Sequence, residues 1–110
     1  MTNKLILNET NFPDENFRKA LTWILGISEG DEITEEMIAA TTSLNIFNAS
    51  ISDLTGIEHF TALTELYCEN NQLTELDVME NQQLTMLSIN RDVELYFSPN
   101  FQKELDVRHQ

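Results

Sequence analysis

The sequence is short of basic residues, cysteine, glycine and proline. Six Lys and Arg stand against nineteen Asp and Glu in 110 residues, for a formal net charge of −13. Nucleic acid and anionic membrane are bound through Lys and Arg, so this balance excludes both as direct partners and favours a basic one. The single cysteine, Cys68, excludes an internal disulfide framework. Gly26, Gly30 and Gly56 are scattered and form no phosphate-cradling loop, and zinc-ligand spacing is absent. No apolar run approaches the ~20 residues that span a bilayer. The opening MTNKLILNETNF lacks the apolar segment and small-residue cleavage site of a secretory signal. The expectation is a cytoplasmic protein as the sequence stands, or a cell-surface one if a precursor has been trimmed.

What is present is a repeat. In residues 63–78, LTELYCENNQLTELDV, apolar residues fall at Leu63, Leu66, Cys68, Leu73, Leu76 and Val78. Neither strand alternation nor helical spacing fits the whole stretch. A shift of 21 positions turns Leu63, Leu66 and Cys68 into Leu84, Leu87 and Ile89, and carries Asn71 onto Asp92. A step of 22 in the other direction reaches Leu44 and Ile46, with Ile51 and Leu54 in place of Leu73 and Leu76. A fixed period of this length marks a solenoid. Each L-x-L segment predicts a parallel strand with its leucines inward. Asn71 would satisfy backbone groups left unpaired where the chain turns, while Leu73, Leu76 and Val78 line the returning side.

The pattern L-x-x-L-x-L-x-x-N-x-L resembles the leucine-rich repeat family, and Cys68 takes a position that the family fills with Leu or Cys. LNETNFPDENFRKAL, ITEEMIAA and SISDLTGIEHFTALTELYCENNQLTELDV resemble the N-terminal region of leucine-rich repeat proteins of Bacteroidetes and Firmicutes. The resemblance covers about residues 5–90. It implies a short α/β solenoid of about two and a half coils and an interaction scaffold without catalytic activity. Thr41, Ala49 and Glu94 depart from the pattern, so the repeat is expected to stop near residue 92.

Three parts follow within one domain: a helical N-terminal cap over 1–41, repeats over 42–92, and a C-terminal capping segment over 93–110. In PDENFRKALTWILG the helical stripe is Phe17, Ala20, Leu21, Ile24 and Leu25, opened by Pro13, Asp14 and Glu15 and closed by Gly26. Thr34 predicts the N-cap of a second helix that turns Met37 and Ile38 inward. The alternation of Val93, Leu95 and Phe97, the turn at Ser98-Pro99-Asn100 and the returning FQKELDV predict a β-hairpin over the last coil. An edge that the hairpin leaves uncovered would favour a homodimer through that end.

Chemistry is sparse. The acidic run SEGDEITEE places Met37 where a calcium loop needs its bidentate Glu and Asp31 where it needs Gly, so no metal is expected. Cys68 takes an inward position, away from the turn that carries His59, and this gives no nucleophile–base pair. The strand faces are more informative. Register predicts columns Ser43–Glu65–Met86, Asn45–Tyr67–Ser88, Phe47–Glu69–Asn90 and Asn48–Asn70–Arg91 on the open side. Solenoids bind partners there, and Asn45, Phe47, Glu65, Tyr67, Glu69, Met86 and Arg91 are the candidate contacts.

The first functional expectation is a non-enzymatic protein-binding module that presents a pre-formed face and uses no cofactor. The alternative is a small acidic cytoplasmic inhibitor of the immunity or phage anti-defence (anti-CRISPR) type, blocking the basic groove of a nucleic-acid-handling enzyme. A further alternative is a fragment of a surface adhesin.

Overall fold

The chain is described from a computed structural model, over residues 4–99 and 104–110. Strand β1 (Leu5–Ile6) leads to helix α1 (Glu15–Leu25), strand β2 (Glu32–Ile33) and helix α2 (Glu35–Ala40). Strand β3 (Ser43–Asn45), a 3-10 turn (Ile57–His59), β4 (Glu65–Tyr67) and β5 (Glu75–Asp77) follow. The series closes with β6 (Met86–Ile89), β7 (Glu94–Tyr96) and β8 (Asp106–His109). No helix among the described residues is long and apolar enough to cross a membrane.

Local chemistry sets the cap. Asp14 Oδ1 accepts from Phe17 N at 3.0 Å and starts α1, while Gly26 stops it in the left-handed conformation at φ 68°. Phe17 and Leu21 are buried on one face of the helix, with Ala20 and Leu25 packed beside them. The other oxygen of Asp14 accepts from Ser52 N at 2.8 Å and Asp53 N at 3.1 Å, so one carboxylate both caps the helix and ties it to the first coil. Thr34 caps α2 by accepting from Met37 N, and Met37 and Ile38 pack on the core. The acidic run does more than form a solvated turn. Its Glu32–Ile33 pairs antiparallel with β1, and Ile33 is buried.

The repeats form a small solenoid. Strands β3, β4, β6 and β8 make one parallel sheet in that order, with Leu44, Leu66, Leu87 and Val107 in register. On the returning side β5 and β7 pair in parallel, Leu76 beside Leu95. The core between them is a continuous stack of buried Leu44, Leu66 and Leu87, with Ile46, Cys68 and Ile89 behind, facing Leu73, Leu76 and Val78. No coil buries these faces alone, so stacking supplies the stability.

Asn71 acts as its position predicts. Its Oδ1 accepts from Ala49 N at 3.0 Å and Ile51 N at 2.9 Å, and its Nδ2 donates to Ile46 O at 2.8 Å and Cys68 O at 3.0 Å. One amide thus closes the bend of its own coil and that of the coil before, where Ala49 stands at the Asn position.

The C-terminal β-hairpin is corrected. Strands β7 and β8 do not pair with each other; each extends a different ribbon in parallel, β7 on β5 and β8 on β6. The coil path thus continues beyond residue 92, to about three turns. The physical reason is that backbone pairing needs only a free parallel edge. Val107 alone keeps an apolar residue in line with Leu87, while Glu104 and His109 stand in line with Leu84 and Ile89. Asn100 of the expected turn and residues 101–103 of the expected return strand lie outside the described residues.

Candidate binding face of the solenoid

The parallel register builds the open face residue by residue. Ser43, Glu65, Met86 and Asp106 form one column across the sheet, and Asn45, Tyr67, Ser88 and Arg108 the next. Backbone bonds from Ile46 N to Tyr67 O and from Asn48 N to Glu69 O carry the register past β3, so Phe47 lies beside Glu69. Neighbours in a column are about 4.8 Å apart, which makes this a continuous surface. Asn48 and Asn70 then turn the chain at φ 55° and 59°, a conformation that Asn tolerates better than most residues.

Of the sequence-derived candidates, Asn45, Glu65, Tyr67 and Met86 come together on adjacent strands, with Phe47 and Glu69 one step along. Arg91 lies apart, exposed in the turn after β6. Tyr67 donates its hydroxyl to Glu65 Oε1, and this bond, with burial, raises the phenol pKa. Ser88 Oγ donates to Glu69 Oε2 at 2.6 Å. Each carboxylate is therefore oriented by a neighbouring hydroxyl, and neither forms an ion pair among the described residues. Such a face offers directed negative charge between larger side chains.

Phe47 is 52% exposed although it borders the cap. It lines a hollow of about 340 Å³ with Asn16, Ala20, Trp23, Ile24 and Asn45. Trp23, 88% exposed, was not among the sequence-derived candidates; Ile24, assigned to the inward stripe, is 42% exposed at its edge. The available signal was that Trp23 falls off the stripe of Phe17, Ala20 and Leu21, where an exposed helix position normally carries a polar residue.

A second hollow, of about 610 Å³, opens on the returning side, where Asp53, Glu58, Glu75, Asp77 and Glu80 line it together with Leu54, Ile57, Leu76 and Tyr96. Tyr96 has a raised pKa from its bond to Glu94 and the surrounding carboxylates. Cys68 is buried under the sheet; burial, with Glu69 adding, pushes its thiol up to about 12. At neutral pH it stays a thiol, a packing group rather than a nucleophile. His59 sits on the 3-10 turn against the Phe12 ring, with Nε2 3.9 Å from Glu58.

Known proteins share this architecture. Internalin J of Listeria monocytogenes serotype 4b is 44% identical over 70 residues, 64% of this chain. The solved functional domain of internalin J, which includes a cysteine ladder, superposes with a TM-score of 0.78 at 34% identity over 96% of this chain. A secreted internalin-like protein of Listeria monocytogenes gives a TM-score of 0.75 at 21% identity over 97% of the chain, a likeness of fold alone. The matches span 8% of full internalin J, 23% of its solved domain and 41% of the secreted protein. With only Cys68, this chain stacks no ladder of cysteines within itself. No protein-family model matches the chain.

Proposed function

We propose that this chain, which belongs to the bacterial leucine-rich repeat family and is homologous to internalin J, is a non-enzymatic protein-binding module working through the open face of its sheet. The observation that carries the reading is the register that sets Asn45, Glu65, Tyr67 and Met86 side by side, with Phe47 and Glu69 at the end of their strands. A rigid surface of this kind binds without ordering itself first, which lowers the cost of association. Glu65 and Glu69, on a chain of net charge −13, favour a partner with a basic surface. Homology to internalin J fits the cell-surface expectation better than the cytoplasmic one. The charge alone favours the second reading, an inhibitor that covers a basic groove.

The test is an affinity capture with the wild-type chain beside a Phe47→Ser/Tyr67→Ser/Met86→Ser variant whose fold is checked by circular dichroism. One protein retained by the wild type, lost with the variant and released by rising salt supports the reading. Capture that survives in the variant moves the site off the open face. A captured nuclease or other nucleic-acid enzyme, blocked in its activity, selects the inhibitor.

A further inference from the structure

We propose that the apolar hollow between helix α1 and strand β3 anchors an extended segment of a basic protein. That segment seats an apolar side chain between Trp23 and Phe47 and lays Lys or Arg along Glu69 and Glu65. The proposal rests on the open-face reading and extends it off the sheet onto the cap.

Six large apolar side chains are exposed among the described residues, and three of them, Trp23, Ile24 and Phe47, meet at this one hollow. Its floor is Ala20, Ile46 and Ala49, of which Ile46 is buried. Its walls are tied before anything binds. Asn16 Nδ2 donates to Ser50 O at 2.9 Å, and Asp14 bonds Ser52 N and Asp53 N, so the helix is fixed on the first coil. A pre-formed, apolar, aromatic-walled hollow is the setting in which interface hot spots occur, and Trp is the residue most enriched there.

Charge selects the occupant. Glu69 lies directly across from Phe47, and Glu65 lies two columns along, beyond Tyr67 and next to Met86. Lys19 on the rim is within 3.7 Å of Glu15, which offsets its charge. A second copy would bring a further −13 against this surface and is disfavoured. A basic segment with an apolar centre satisfies both the hollow and the carboxylates.

Trp23 is the sole tryptophan, so its fluorescence reports this part of α1. It also borders another hollow beside Gly26 and Ile27, and Phe47→Ser, which touches only the hollow next to β3, separates the two. The experiment selects a phage-displayed library of random twelve-residue peptides on the whole chain and titrates the enriched peptides while following Trp23 emission. Expected are peptides with an aromatic or aliphatic centre flanked by Lys or Arg. They should shift the emission to the blue and bind Trp23→Ser at least about thirtyfold more weakly by calorimetry, since a hot-spot truncation costs that much. Peptides lost on Tyr67→Ser/Met86→Ser but indifferent to Trp23→Ser would overturn this anchor and leave the open-face reading standing. Peptides indifferent to both variants would count against both. No enrichment, a blue shift that appears only as the chain is concentrated, or one produced by phosphatidylcholine vesicles instead of peptide would each overturn the basic segment as occupant.

Discussion

Asn71 shows how one residue holds two coils. It makes four bonds of 2.8–3.0 Å to the backbone at residues 46, 49, 51 and 68, and no other side chain offers two donors and an acceptor in that space. Asn71→Ala strands those groups in a half-buried bend and is expected to cost about 2–4 kcal/mol in urea unfolding. A loss below about 0.5 kcal/mol would mean that water replaces the amide freely. This role was legible in the sequence, because the leucine-rich repeat pattern that the stretch resembles sets an Asn where the chain must turn, even though Ala49 and Asp92 stand there in the neighbouring coils. The exposure of Trp23 was not legible. Helical spacing places it off the apolar stripe, but only the tertiary structure tells whether a neighbour covers it.

Cys68 gives the residue scale a pH signature. Its thiol, ordinarily near 9.0, is pushed up to about 12 by burial. The folded pKa is thus above the unfolded one, so the contribution to stability is complete below pH 9 and declines as pH rises towards about 12. The wild type is expected to lose roughly 1 kcal/mol per pH unit across that window relative to Cys68→Val. Parallel urea midpoints at pH 8, 10 and 11 measure this. Identical slopes for the two proteins would show that the thiol is not sealed.

Among the elements, the cap and the first coil meet at a backbone contact. Gly56 sits at φ 111°, and a Cβ there would run into the Phe12 ring and stand 2.9 Å from the Asn11 carbonyl oxygen. Phe12 is fully buried against Phe17 and Phe60 and has no room to withdraw. Gly56→Ala is therefore expected to destabilise the fold by roughly 2–4 kcal/mol, from backbone strain together with overpacking. A thermal melt unchanged from wild type would show that the cap can shift away. The sequence made the elements legible where the apolar period is dense, as in β3, β4 and β6. At β7 and β8 it showed strands but not their partners, because the inward residues thin to Leu95 and Val107 and alternation alone looks like a hairpin. Backbone pairing on an existing parallel edge carries no side-chain signature, so the coil continues where the leucines fade.

At the scale of the whole molecule, two acidic surfaces lie on opposite sides of one solenoid. The open face mixes oriented carboxylates with Phe47, Tyr67 and Met86, whereas the returning side gathers five carboxylates along a hollow that Tyr96 also lines. Net charge alone does not distinguish them, since both would draw a basic partner from a distance and both would weaken with salt. The proposed binding site places the retained partner on the open face, where Phe47 meets Trp23 and Ile24 in one hollow, although Met79, Tyr96 and Phe97 are also exposed after or on the returning strands.

Hydrogen–deuterium exchange of the chain with its captured partner separates the two sides most directly. Binding at the open face gives protection along residues 43–47, 65–69 and 86–90, extending into the last turn of α1, with little change at 75–78. Protection centred on 53–58 and 75–80, with the open strands unchanged, would contradict it.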